Sequence, residues 1–233
     1  PWRGVVEASA GGCFPNSPRM PTEEASGMSG EKRRRLLEML LERSYQYRPE
    51  KPFTLSSGRV SPYFIDCKPV TNSAAGLALV GEIFFDLVAG LDIAAIGGLT
   101  MGADPIAHAV SLISWQKGKP VNSFSVRKVA KDHGHESSRV LVGYVRSGDR
   151  VAIVDDVITT GQSTIQAIEQ AAAGGLLVVK AVVLVDREEG GKGEIEKRGV
   201  EVESIFTLSE LREEAAKRSR GSVGAPSDET RNG

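Results

Sequence analysis

From residue 31 to about residue 211 the chain alternates short apolar runs, rich in β-branched residues, with longer stretches of helical period. Glu31 to Tyr45 is charged but carries Leu36, Leu37, Leu40 and Leu41 at helical spacing, which predicts an amphipathic helix with its leucines inward. Tyr63 to Cys67 reads as a strand and Ala74 to Val88 as a helix. Ile93 to Ile96 is a brief buried strand, Gly97-Gly98 reads as the loop after it, and Pro105 suits the opening turn of the next helix. Val121 to Val126, Val140 to Val145, Val151 to Val154, Val178 to Val185 and Val200 to Phe206 read as further strands, with Gly148-Asp149 as a turn. The runs are apolar on both faces rather than alternating. That pattern and the βαβα order predict an α/β fold with a central, mainly parallel sheet flanked by helices. In such a sheet a ligand belongs at the carboxyl ends of the strands.

The two ends differ in kind. Residues 1–30 are rich in Gly, Ser and Pro without hydrophobic periodicity, and are expected to form a disordered leader in which Met20 and Met28 are alternative starts. That stretch lacks the apolar centre of a secretory signal, and Glu7, Glu23 and Glu24 argue against a transit peptide. One catalytic domain is expected over residues 31–211, with a polar tail over 212–233 that frays from about Lys217. Charge is nearly balanced, 29 Lys and Arg against 30 Asp and Glu, and no basic run suggests a nucleic-acid surface. Cys13 and Cys67 give neither a disulfide framework nor a zinc pattern, and Cys67 reads as a core filler. No apolar stretch is long enough to span a bilayer, and a reducing, cytoplasmic setting is expected.

Chemistry concentrates in Val151-Ala-Ile-Val-Asp-Asp-Val-Ile-Thr-Thr-Gly-Gln-Ser163. A buried strand ends in two carboxylates, a hydroxyl- and glycine-rich turn follows, and a helix opens at Thr164. Unpaired backbone N–H groups at such a helix start, with the positive end of its dipole, favour a phosphate. Thr159, Thr160 and Ser163 add hydroxyl donors, and Gly161 permits close approach. Asp155 and Asp156 repel a phosphate but suit ribose hydroxyls, or a hydrated Mg²⁺ beside them. Phosphate donors on one side and sugar-binding acids on the other describe a cradle for ribose 5-phosphate. An ordinary strand–helix turn with solvated acids is the plainer alternative, and the added Thr-Thr-Gly-x-Ser run argues against it.

This stretch resembles the phosphoribosyl pyrophosphate signature of type I phosphoribosyltransferases. Phe53-Thr-Leu-Ser-Ser-Gly-Arg-Val-Ser-Pro-Tyr-Phe-Ile-Asp66 resembles the N-terminal segment of the orotate phosphoribosyltransferases. Gly97 to Pro105, Val126 to Gly134 and Val185-Asp-Arg187 are similar to three more segments of that family, in its order and roughly its spacing. The resemblance implies the type I fold with a small N-terminal hood and a mobile loop. It implies a phosphoribosyl pyrophosphate site built from Arg127, Lys128, Lys131, His133, Asp155, Asp156, Val157, Ile158, Thr159, Thr160, Gly161, Gln162 and Ser163. It implies orotate contacts from Thr159, Arg187, Phe64 and Ile65, and assigns catalysis to Lys131, Asp155 and Asp156. Arg187 fits because its planar fork pairs with a carboxylate, which orotate carries and uracil and the purines lack. His108 and His135 match nothing in the family. Ser56 and Met101 stand where many members carry pyrophosphate-binding lysines, a departure that matches a second version of the family reading Leu-Ser-Ser-Gly and Gly-Leu-Thr-x-Gly-Ala-Asp-Pro.

The resemblance further implies a homodimer whose cationic loop reaches into the partner's site, and Mg²⁺ bound through substrate near Asp155 and Asp156 rather than by direct protein ligands. The implied reaction joins orotate to the ribose of phosphoribosyl pyrophosphate, giving orotidine 5′-monophosphate and pyrophosphate for UMP synthesis. A purine phosphoribosyltransferase, or a non-catalytic regulator sensing phosphoribosyl pyrophosphate, are the rivals. The first should lack the Phe53 to Asp66 segment, and near-neutral charge argues against the second.

Overall fold

A computed structural model describes residues 22–54, 58–128 and 140–222, with the backbone alone at 22–29 and 221–222. Expectations placed on residues 1–21, Ser56, Lys131, His133, His135 and residues 223–233 lie outside the described residues. In chain order the elements are α1 (Thr22–Arg43), β1 (Tyr45–Tyr47), β2 (Phe53–Thr54), β3 (Val60–Ser61), β4 (Tyr63–Ile65), α2 (Lys68–Thr71) and α3 (Ala74–Val88). Then come β5 (Ala95–Leu99), α4 (Ala103–Gln116), β6 (Asn122–Val126), β7 (Leu141–Gly143), β8 (Arg150–Ile158) and α5 (Gln162–Ala173). The chain continues with β9 (Leu177–Asp186), α6 (Gly191–Glu196), β10 (Val202–Thr207) and α7 (Leu208–Ser222).

Six strands form one sheet in the order β10-β9-β8-β5-β6-β7, parallel throughout except for the antiparallel β6–β7 pair. Alternation along the central strands feeds two cores. Ala152, Val154, Val182 and Leu184 pack with α1, α3 and α4, whereas Val151, Ile153, Ala181 and Val183 pack with α5 and α6. Both faces of the sheet are therefore dry, as the unbroken apolar runs require. Short antiparallel pairs, β1 with β4 and β2 with β3, form the N-terminal hood.

Several boundaries move. Helix α1 starts at Thr22, inside the stretch expected to be disordered. At the other end α7 runs past Lys217, held by buried Leu208 and Leu211 near its start. Gly97 and Gly98 are not a loop but lie within β5, and both are buried. A methyl group at Gly97 would collide with the carbonyl and ring of Phe124, and one at Gly98 with the carbonyl of Val154. These glycines serve strand packing rather than unusual dihedrals. Strand β8 likewise continues to Ile158, so the two acids lie inside its last turns of pleat instead of beyond its end.

Candidate active site

At the carboxyl end of β8 the chain turns through Thr159 and Thr160 into α5, and Asp155 with residues 157–164 lines a cleft of about 490 Å³. Size does not single it out, since a cleft of about 860 Å³ lies between Tyr45, Tyr47, Tyr63 and α7. Chemistry does. No side chain caps α5, whose cap residue is Gly161 at φ 79°. The first amides of α5 therefore face the cleft with the dipole behind them. Gly161 has a second reason to lack a side chain: a Cβ there would lie 2.8 Å from the Gly191 carbonyl. The turn is braced from behind, where Gly191 N–H donates to the Thr159 carbonyl at 3.0 Å and Arg187 N–H to the Ile158 carbonyl at 3.0 Å.

Asp155 and Asp156 are both buried, and a carboxylate oxygen of each lies close to Gly102. Asp155 accepts from its neighbour's N–H at 3.0 Å and from the Thr164 hydroxyl of α5 at 2.8 Å. Asp156 accepts from Val157 N–H at 3.0 Å and lies flush on Gly102, where a Cβ would strike its Oδ1. Its Oδ2 is 3.8 Å from Lys68 Nζ. Burial, and then the neighbouring Asp156, push the Asp155 carboxyl up to about 7 despite the Thr164 hydrogen bond. An acid raised in this way holds its proton more tightly folded than unfolded. Its contribution to stability is full below the ordinary value of 3.8 and is lost as pH rises through about 7. Asp155→Asn should therefore melt above the ligand-free parent by a margin that widens from about pH 5 to about pH 8, at about 2–4 °C per kcal/mol. A margin that stays constant across that range in paired melting curves would contradict this account of the acid.

A second group of residues faces the hood. Arg187 is no surface arginine; its side chain is 4% exposed. Its Nε donates to Glu189 at 2.9 Å, and Nη2 donates to the Ser61 hydroxyl and the Tyr63 carbonyl at 3.4 Å each. Nη1 takes no partner among the described residues. Glu189 also pairs with Arg59 at 3.3 Å, which ties the β2–β3 region to the strand end carrying Arg187. Phe64 stacks on Phe53 with ring centroids 5.1 Å apart, half-buried at the hood. Ile65, its neighbour on the strand, points the other way into the core, so only its backbone is available to a ligand.

The cationic segment is anchored at both ends. Arg127 N–H donates to the Val140 carbonyl at 2.9 Å, so the excursion leaves and re-enters the sheet at the carboxyl end of β6. Lys128 lines a cleft there with Gln162 and Ser163, and its carbonyl accepts from Gln166 Nε2 at 3.4 Å. The fold thus brings Lys128, Asp155, Asp156 and the 157–163 turn together at one rim, with Arg187 and Phe64 across the hood. Cys67 is buried in the core, its thiol raised well above its usual range by burial and then by Asp156. His108 sits on the exposed side of α4, away from these groups. Sequence reading missed Lys68, Gly102, Thr164 and Glu189. Among the described residues no group of three His, Cys, Asp or Glu side chains could hold a metal ion.

A family described as phosphoribosyl transferase domain matches residues 70–210. The orotate phosphoribosyltransferase of Aquifex aeolicus is 41% identical over 179 residues, 77% of this chain and 97% of that protein. A crystal structure of the orotate phosphoribosyltransferase of Mycobacterium tuberculosis H37Rv with Fe(III) dicitrate superposes with a TM-score of 0.67 at 35% identity, covering 77% of this chain and 98% of that one. The same enzyme with 5-phospho-alpha-D-ribosyl 1-diphosphate gives a TM-score of 0.64 at 30% identity, over 81% and 96% of the two chains.

Proposed function

The chain belongs to the orotate phosphoribosyltransferases, and from that membership we propose how its residues share the work of the reaction. The reaction transfers the 5-phosphoribosyl group of phosphoribosyl pyrophosphate to orotate in pyrimidine biosynthesis. The observation that carries our assignment is the β8–α5 turn, with an uncapped helix start on one side and a buried acid pair on the other. The 5-phosphate rests on the amides and hydroxyls of residues 159–163. Asp155 and Asp156 hold the ribose hydroxyls and fix the anomeric carbon facing the hood. Orotate lies against Phe64 and the Ile65 backbone, its carboxylate met by the Nη1 side of Arg187, which Glu189 keeps in place. Orotate N1 attacks the anomeric carbon as the bond to diphosphate breaks. The transition state gathers positive charge on the sugar and negative charge on the leaving group, so positioning and charge placement supply the rate. Arg127, Lys128, Lys131 and His133 meet the diphosphate, with Lys131 or Asp155 handling protons.

Mg²⁺ fits this site as a companion of the substrate. Both Asp155 oxygens already accept hydrogen bonds and Asp156 Oδ2 faces a lysine, so the acids suit a hydrated ion held mainly by substrate oxygens. Bound there it would neutralise charge growing on the diphosphate. We place the reaction in the cytoplasm; no helix among the described residues is long and apolar enough to cross a membrane. Incubating the protein with phosphoribosyl pyrophosphate, Mg²⁺ and each base in turn tests the reading. Orotate should be consumed, while uracil, adenine, guanine and hypoxanthine should not. Turnover of a purine in preference to orotate would move the chain to another branch of the family.

A homodimer with shared sites completes this reading. Its support is the exposure of large apolar side chains on α4, where Leu112 and Trp115 are 60% and 73% exposed. Mixing Lys131→Ala with Asp156→Asn subunits should restore activity, to about half of the parent per heterodimer, because one site then carries both defects and the other neither. Confirmed subunit exchange with no returning activity would mean that the cationic loop serves its own chain.

A further inference from the structure

We propose that Lys68 is a positioning residue for phosphoribosyl transfer, its ammonium tying Asp66 to Asp156 so that the Asp156 carboxylate stays turned toward the ribose. The proposal rests on the ribose role given to Asp156 above.

The geometry is that of a strut. Asp66 Oδ1 accepts from the Lys68 backbone N–H at 3.1 Å and lies 3.3 Å from its Nζ, so the lysine is fixed at both ends of its own side chain. The same Nζ lies 3.8 Å from Asp156 Oδ2. That separation is too long for a direct hydrogen bond but short enough for charge to act, and it leaves the Oδ2 lone pairs open to a hydroxyl. The other oxygen, Oδ1, is committed to Val157 N–H and pressed on Gly102. Asp156 thus has one fixed oxygen and one free oxygen, and Lys68 faces the free one. Burial alone would lower the Lys68 pKa, but Asp156 and Asp66 together raise it, so the strut stays charged.

Lys68 also joins two halves of the site. It opens α2 directly after β4, the strand whose Tyr63 carbonyl holds Arg187 and whose Phe64 faces the base. Asp156 belongs to β8, on the ribose side. The Lys68 side chain is 53% exposed, and an ion pair so wetted adds little to stability. Its worth lies in orientation, and the variant should keep its fold.

A double-mutant cycle on the full chain separates this role from direct contact with the diphosphate. Calorimetric titration with phosphoribosyl pyrophosphate should show affinity falling about tenfold in Lys68→Met, with unchanged melting temperature and most of the loss recovered in Lys68→Arg. In the Asp156→Asn background the Lys68→Met change should have no further effect. Where that background binds too weakly to titrate, the cycle is read in kcat/KM. An equal loss in both backgrounds would mean that Lys68 meets substrate itself, and no loss in the parent would mean that it does nothing; either overturns the proposal. Asp156→Asn alone binding as well as the parent would instead remove the ribose assignment, and the strut with it.

Discussion

Replacing Asp156 by Asn should reduce kcat/KM by about a hundredfold or more, the scale seen when one preorganised polar contact to a reacting centre is removed. The side chain keeps its shape and its hydrogen bond from Val157 N–H, so the fold should survive. What disappears is the negative charge that the proposed arrangement sets at the ribose edge, against the positive charge that develops on the sugar. Asp155→Asn should also slow turnover sharply, but for a different reason. Asp155 is raised to about 7 and is held by Thr164, so its loss removes a group that exchanges its proton near neutrality. The two variants should therefore differ in pH dependence. The parent's rate profile should carry a limb near pH 7. Asp156→Asn should retain the limb but shift it below pH 7, because the neighbouring charge that helps raise Asp155 is gone, and Asp155→Asn should lose it, as steady-state profiles would report. Identical profiles would contradict this division of labour.

Arg187→Lys should weaken orotate binding by about tenfold or more while leaving phosphoribosyl pyrophosphate nearly untouched, a charge-assisted hydrogen bond being worth about 1.5–3 kcal/mol. Lysine keeps the charge but cannot serve Glu189, Ser61, the Tyr63 carbonyl and a ligand carboxylate at once. Because Arg187 is buried, a fall in melting temperature should accompany the change, with Glu189 left to Arg59 alone. Separate Michaelis constants for the two substrates check the claim. An unmoved orotate constant with a raised constant for the other substrate would place Arg187 on the phosphate side.

What was legible in the sequence follows what is local in the chain. Helix α3 matches its expected bounds, Ala74 to Val88, because Ser73 caps it, accepting from Gly76 N–H, and its apolar residues repeat with helical period. The acid pair and the turn after it were legible for the same reason, since strand, acids, glycine and helix start are consecutive. Lys68, Gly102 and Glu189 were not, because other elements bring them to Asp156 and Arg187. Gly97 and Gly98 were misread as a loop because a glycine needed for close packing looks like one needed for its dihedrals until the neighbouring strands are known. The opposed facing of Phe64 and Ile65 was legible too. Adjacent residues of a strand face opposite sides, so Phe64 and Ile65 could not both offer side chains to one base.

The most direct measurement is a crystal structure of the protein with orotidine 5′-monophosphate, the product that spans both halves of the site. Our account puts its phosphate on the amides of residues 160–163, its ribose hydroxyls on Asp155 and Asp156, and its base carboxylate against Arg187. A phosphate seated elsewhere, or a ribose turned away from the acid pair, would contradict it.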